Sequence, residues 1–128
     1  MSSKKLILLN PQGLRTPGRL SALLFEAKRD QVAILIINEH NLTFANKSRA
    51  ETEAKRKGFI PCIGYAHDRG GSAIFVDASA HGLDVHTPIP HASHLDGRIT
   101  IADIPHPTEG QKPFRVAAMY VPASPRDS

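Results

Sequence analysis

The stretch Val32-Ala33-Ile34-Leu35-Ile36-Ile37-Asn38-Glu39-His40-Asn41 decides the fold. It opens with six consecutive apolar residues rich in β-branched types. A run with no polar residue on either face reads as a strand buried on both sides. It then turns abruptly polar at Asn38-Glu39-His40-Asn41, so hydrophilic groups collect at the carboxyl end of the most buried strand.

Upstream, Lys5 to Leu9 is a short apolar run closed by Asn10-Pro11-Gln12-Gly13, which predicts a buried strand and a turn. Thr16-Pro17 is expected to open a helix, Thr as cap and Pro at the first position. Leu20, Leu23, Leu24 and Ala27 then fall at helical spacing, with Arg19, Glu26, Lys28 and Arg29 on the other face. Downstream, residues 46–57 predict a polar helix stopped by Gly58. Strands are expected over 59–65, 72–76, 98–104 and 114–121, with a turn at His67-Asp68-Arg69-Gly70-Gly71. Residues 79–97 read as loop with a short strand near Leu83–His86, 105–113 as loop, and 122–128 as an open tail. Strand, helix, strand, helix, then mostly strands predicts an α/β (α+β) domain whose second half is antiparallel.

Composition bounds what such a chain does. At 128 residues there is room for one core, since a domain takes about 100–200 residues. The apolar run 32–37 is too short to cross a bilayer, and the four apolar residues before Asn10 are too few for a secretion signal. The lone Cys62 cannot close an internal disulfide and is expected to be packed in a strand, which fits a reducing, intracellular location. Charge is uneven: residues 1–58 carry 11 Lys/Arg against 5 Asp/Glu, and residues 59–128 carry 5 against 7, giving the net +4. A basic half suits a polyanion such as nucleic acid, and equally a solvated helix surface.

Two polar clusters follow two strands, Asn10 with Gln12 and Asn38 with Glu39. If the strands are neighbours in one sheet, both clusters leave it at the carboxyl edge, where α/β sheets bind ligands. A carboxylate flanked by amides suits a hard divalent cation such as Mg²⁺. Spacing alone also allows Glu39 to be an exposed residue of a post-strand loop. His81, His86, His91 and His94 with Asp84 and Asp96 read as a polar loop, because Thr-Pro-Ile-Pro interrupts them and no i, i+4 pair sits on a helix.

Five segments in order resemble the endonuclease/exonuclease/phosphatase superfamily, the deoxyribonuclease I-like enzymes, and most closely the endonuclease domain of non-LTR retrotransposons. They are Leu8-Leu9-Asn10-Pro11-Gln12-Gly13-Leu14-Arg15; Leu35-Ile36-Ile37-Asn38-Glu39-His40; Gly70-Gly71-Ser72-Ala73-Ile74; Asp96-Gly97-Arg98 leading into Ile99–Ile104; and Val116 to Ala123. The resemblance implies a DNA-nicking phosphodiesterase that uses Mg²⁺ or Mn²⁺. Glu39 matches the metal-ligating glutamate and Gln12 a position near the metal. Asn10 matches the asparagine that supports the catalytic side of the site, and Tyr120 the tyrosine whose hydroxyl contacts the scissile phosphate. Arg15 matches a basic residue beside the DNA backbone, and Asn38 stands beside the phosphate where the family usually has Gln. Pro11, Gln12, Asn38 and Ala123 depart from the usual residues.

The family's Asp-x-Asn and closing Asp-His are absent from these 128 residues. The resemblance therefore implies a single partial domain over 1–128, the N-terminal half of a four-layer αββα sandwich. One sheet and two helices on one of its faces are expected, with an apolar inner face that a second copy could cover, and little or no nuclease activity by the chain alone. A phosphatase of the same superfamily and a non-catalytic module binding nucleic acid or a partner are the alternatives.

Overall fold

A computed structural model describes residues 5–11, 13–106 and 110–121. Gln12 and the tail 122–128 lie outside them, and with them the expectations placed on Gln12 and Ala123. The elements run β1 (Lys5–Leu9), α1 (Arg19–Arg29), β2 (Val32–Asn38), α2 (Lys47–Arg56), β3 (Phe59–Gly64), β4 (Ser72–Asp77), β5 (His91–His94), β6 (Ile99–Ile104) and β7 (Phe114–Met119), with one-turn helices at Phe44–Asn46 and Ser79–His81. No helix among the described residues is long and apolar enough to cross a membrane.

The strands form two sheets, a mixed one ordered β1-β2-β4-β3 and an antiparallel one ordered β5-β6-β7. β2 lies between β1 and β4 and is buried from Val32 to Ile37, as its unbroken apolar run predicts. Val32, Leu35 and Ile37 pack beneath α1 and α2 with Leu20, Leu24, Ala50, Ala54, Phe59 and Phe75. Ala33, Ile34 and Ile36 face the other way, into a second core with Cys62, Ile74, Val76, Ala102, Ile104, Val116 and Ala118. The alternation of one strand therefore fills two cores. Burial pushes the Cys62 thiol up to about 12, as expected of a packed cysteine.

Both helices lie on one face of the mixed sheet, as expected. The expectation of a single sheet with a bare inner face is corrected. Residues 91–119 of the same chain supply a second sheet that fills that face, so no second copy is needed there. Smaller corrections follow from context. β1 is an exposed edge rather than buried, with Leu6 55% and Leu8 60% exposed, because β2 flanks it on one side only. Helix α1 starts at Arg19 behind Gly18, whose φ of 89° ends the preceding turn, and the Thr16 side chain makes no cap. In its place the Glu53 carboxylate on α2 accepts from the Gly18 N–H (3.2 Å) and the Ser21 hydroxyl (2.9 Å). The short strand of the 79–97 segment is at His91–His94 rather than 83–86.

Pairing register decides which residues meet at the carboxyl end of β2. β1 runs parallel to β2, with Leu9 opposite Ile37, and β4 runs antiparallel, with Ser72 opposite Asn38. The end of β1, the end of β2, Gly70-Gly71 before β4 and the end of β3 therefore converge. His40 fills the space between them and is fully buried. Its Nδ1 accepts from the Leu42 N–H (2.7 Å), which leaves Nε2–H to donate to the carbonyls of Gly64 (3.0 Å) and Ser72 (3.2 Å). A Cβ on Gly71, whose φ is 83°, would lie 2.6 Å from His40 Nε2, so only glycine fits beside this ring.

Burial lowers the His40 pKa to about 4, against the pull of its two carbonyl acceptors. Between 6.5 and about 4 the unfolded chain holds a proton that the folded chain does not. This stability is thus complete above pH 6.5 and is lost as the pH falls toward 4, to an extent of about 3 kcal/mol. An NMR titration should find the His40 ring ionising near pH 4; ionisation at the ordinary histidine value would contradict the arrangement. Gly71→Ala, strained in φ and forced onto the ring, should cost on the order of 2–4 kcal/mol in urea unfolding.

Candidate active site

Parallel pairing carries Asn10 and Glu39 out of adjacent strands at one edge, and the two side chains meet. The Asn10 Nδ2–H donates to Glu39 Oε2 at 2.5 Å. The amide dipole fixes one carboxylate oxygen and adds no charge. Glu39 is half-buried and has a φ of 57°, and Asn41 a φ of 60°. Non-glycine residues in the left-handed region are held there by their surroundings, at a cost of about 1–3 kcal/mol each. The restraints are visible. Glu39 N–H donates to the Gly71 carbonyl (2.8 Å), Asn41 N–H to Gly70 (2.7 Å), and Leu14 N–H to the His40 carbonyl (2.7 Å). With His40 held inward between them, Glu39 and Asn41 fall on the opposite, accessible side of the turn.

Asn38 ends β2 at the edge, and its Oδ1 is buried without a hydrogen-bond partner among the described residues. Glu39 Oε1, to which no described residue donates, is a hard oxygen donor at this edge. A carboxylate so placed fits Mg²⁺ or Mn²⁺, which are held by one or two carboxylates with water and substrate phosphate completing the shell. No group of three His, Cys, Asp or Glu side chains that could hold a metal occurs among the described residues, so a cation here would depend on a single carboxylate and on ligands from outside.

Arg15 is part of the scaffold of this end. Its Nε–H donates to the Asn41 carbonyl (2.6 Å), and its Nη2 group to the Asp68 carbonyl, with the Asp68 carboxylate at 3.5 Å. It ties the segment after β1 to the 67–71 turn. Tyr120 follows β7, its N–H donating to the Arg98 carbonyl (2.7 Å). Its ring lies against Gly70, where a Cβ would come within 2.7 Å of Cε2. The structure therefore brings Asn10, Asn38, Glu39, Arg15 and Tyr120 to one end of the sandwich.

Several residues of this end were not singled out from the sequence. Asn41 Oδ1 accepts from the Gly70 N–H (2.7 Å) and shapes the surface on which Tyr120 rests. Ser72 and Thr100 join the two sheets there: the Ser72 hydroxyl donates to the Gly97 carbonyl (2.7 Å), and the Thr100 hydroxyl to the Ser72 carbonyl (3.0 Å). The available signals are an Asn after a strand end, which tolerates positive φ, and the paired glycines 70 and 71. Asn41→Ala should lose about 1–3 kcal/mol in urea unfolding and speed exchange of the Gly70 amide. Asn41→Gly should recover the backbone part of the stability and leave the exchange fast. Unchanged Gly70 exchange in both would contradict the role of the Asn41 side chain.

Neither a protein-family model nor a curated protein sequence matches this chain. Among solved structures, it superposes on an AP endonuclease from Archaeoglobus fulgidus with a TM-score of 0.60 at 21% identity, over 80% of this chain and 37% of that one. An AP endonuclease from Leishmania major gives a TM-score of 0.68 at 15% identity, over 93% and 40%. The chain thus spans well under half the length of either. At these identities the likeness is one of fold: over the matched part, the chain shares the deoxyribonuclease I-like fold of these AP endonucleases.

Proposed function

We propose that this chain carries one side of the active site of a divalent-cation-dependent phosphodiester endonuclease, acting on the DNA backbone as part of a retrotransposon-type protein. The observation that carries the reading is the Asn10–Glu39 pair at the ends of two parallel strands, held by a strained backbone over a buried histidine. The nuclease-type fold and the basic first half of the chain support it.

On this reading Glu39 holds the cation, a role in which the family resemblance alone adds Gln12, and the Asn10 amide keeps the carboxylate in one orientation. A divalent cation held by Glu39 would supply charge neutralisation at the scissile phosphate. The Tyr120 hydroxyl donates to a phosphate oxygen as charge builds on it. Arg15 and Asn38 position the phosphate and read no sequence. An in-line hydrolysis also needs a base to take a proton from the attacking water. The Asp-x-Asn and Asp-His patterns that would supply the other side do not occur in these 128 residues. The partial domain is therefore inactive alone.

The purified chain should bind Mn²⁺ weakly, broadening the NMR signals of Asn10 and of residues 38–41, and Glu39→Gln should abolish the effect. It should not nick supercoiled DNA with Mg²⁺. Nicking that disappears in Glu39→Ala would overturn the proposed inactivity, and broadening that survives Glu39→Gln would overturn the assignment of Glu39.

A further inference from the structure

The flank of the sandwich carries a groove of about 380 Å³ between α2, the edge strand β3 and the segment 85–93. Among its lining residues is Phe44, a large aromatic side chain that is 74% exposed. Its ring is 5.2 Å from that of Tyr65, tilted by 33°, so its position is set by packing on one side while the other meets solvent. Lys47, Glu51 and Lys55 line the groove from α2 at i, i+4 and i+8. Glu51 is turned aside: its carboxylate accepts from the Tyr65 hydroxyl at 3.0 Å. Neither lysine has an ion pair or hydrogen bond among the described residues. The stripe therefore offers two cations about 12 Å apart along the helix.

We infer that this groove binds single-stranded nucleic acid, with an unpaired base stacked on Phe44 and backbone phosphates at Lys47 and Lys55. An exposed aromatic face beside tracking cations is how proteins hold single strands, and every base has a face to offer. A duplex keeps its base faces covered by their neighbours, so Phe44 selects against it. A peptide strand adding to β3 is the weaker fit, because Pro61 removes an N–H from that free edge. The groove is separate from the Asn10–Glu39 pair, although Phe44 follows Glu39 by only five residues.

Fluorescence anisotropy with a labelled oligothymidylate of about a dozen nucleotides tests this directly. The whole chain should bind it more tightly than a hairpin duplex of equal charge. Phe44→Ala should weaken binding about tenfold and Phe44→Trp should restore it. Lys47→Gln with Lys55→Gln should lower the slope of log affinity against log salt by about 1.4, two phosphate contacts at 0.7 each. The titrations are run without divalent cation, so that failure here and failure of the active-site reading remain distinguishable. Because Phe44 is exposed, its variants should melt like the wild type. Full affinity in Phe44→Ala, equal affinity for duplex, or no salt-dependent binding would overturn the inference.

Discussion

The placement of one buried imidazole governs this end of the molecule. His40 lies where the ends of β2 and β3 and the start of β4 meet, and it satisfies backbone groups from all three directions. A buried polar ring is tolerated only when its hydrogen bonds are complete, and both nitrogens of His40 are occupied. The ring leaves room for nothing but glycine at position 71 and is kept neutral by burial. With its side chain committed inward, the residues on either side must turn outward, and both adopt left-handed backbone. The strain at Glu39 and Asn41 is thus offset by a packing and hydrogen-bonding unit one residue away.

Chemistry arises from topology laid over that anchor. Parallel pairing of β1 with β2 brings an amide to a carboxylate, and antiparallel pairing with β4 brings the diglycine turn beneath Tyr120. Arg15, which the family resemblance sets beside the DNA backbone, ties two loops together here. A residue that organises this end by internal bonds can still present a positive field to an approaching polyanion.

The double burial of β2 was legible because six apolar residues in succession leave no face for water. The meeting of Asn10 with Glu39 was legible because strand ends in a sheet share an edge. The burial of β1 was misjudged because an apolar pentapeptide carries no record of whether one neighbour or two flank it. The strand His91–His94 was missed because His-Ala-Ser-His lacks β-branched residues, and its pairing with Ile99–Ala102 is supplied by tertiary contact. The inner face is filled from β6 and β7, both expected from the sequence; what the sequence does not record is that they pair into a sheet of their own that folds back over the first. His40 was read only as part of a polar run; its role depends on glycines about 24 and 31 residues away.

The central claim is that Glu39, oriented by Asn10 and raised on the strained turn over His40, is the cation ligand of this end of the sandwich. Anomalous diffraction from crystals soaked in Mn²⁺ tests it most directly. The account predicts a peak at about 2.0–2.2 Å from a Glu39 carboxylate oxygen, with the Asn10 amide still bonded to that carboxylate. A peak held by other residues, or none at Glu39 in crystals that take up Mn²⁺ elsewhere, would contradict it.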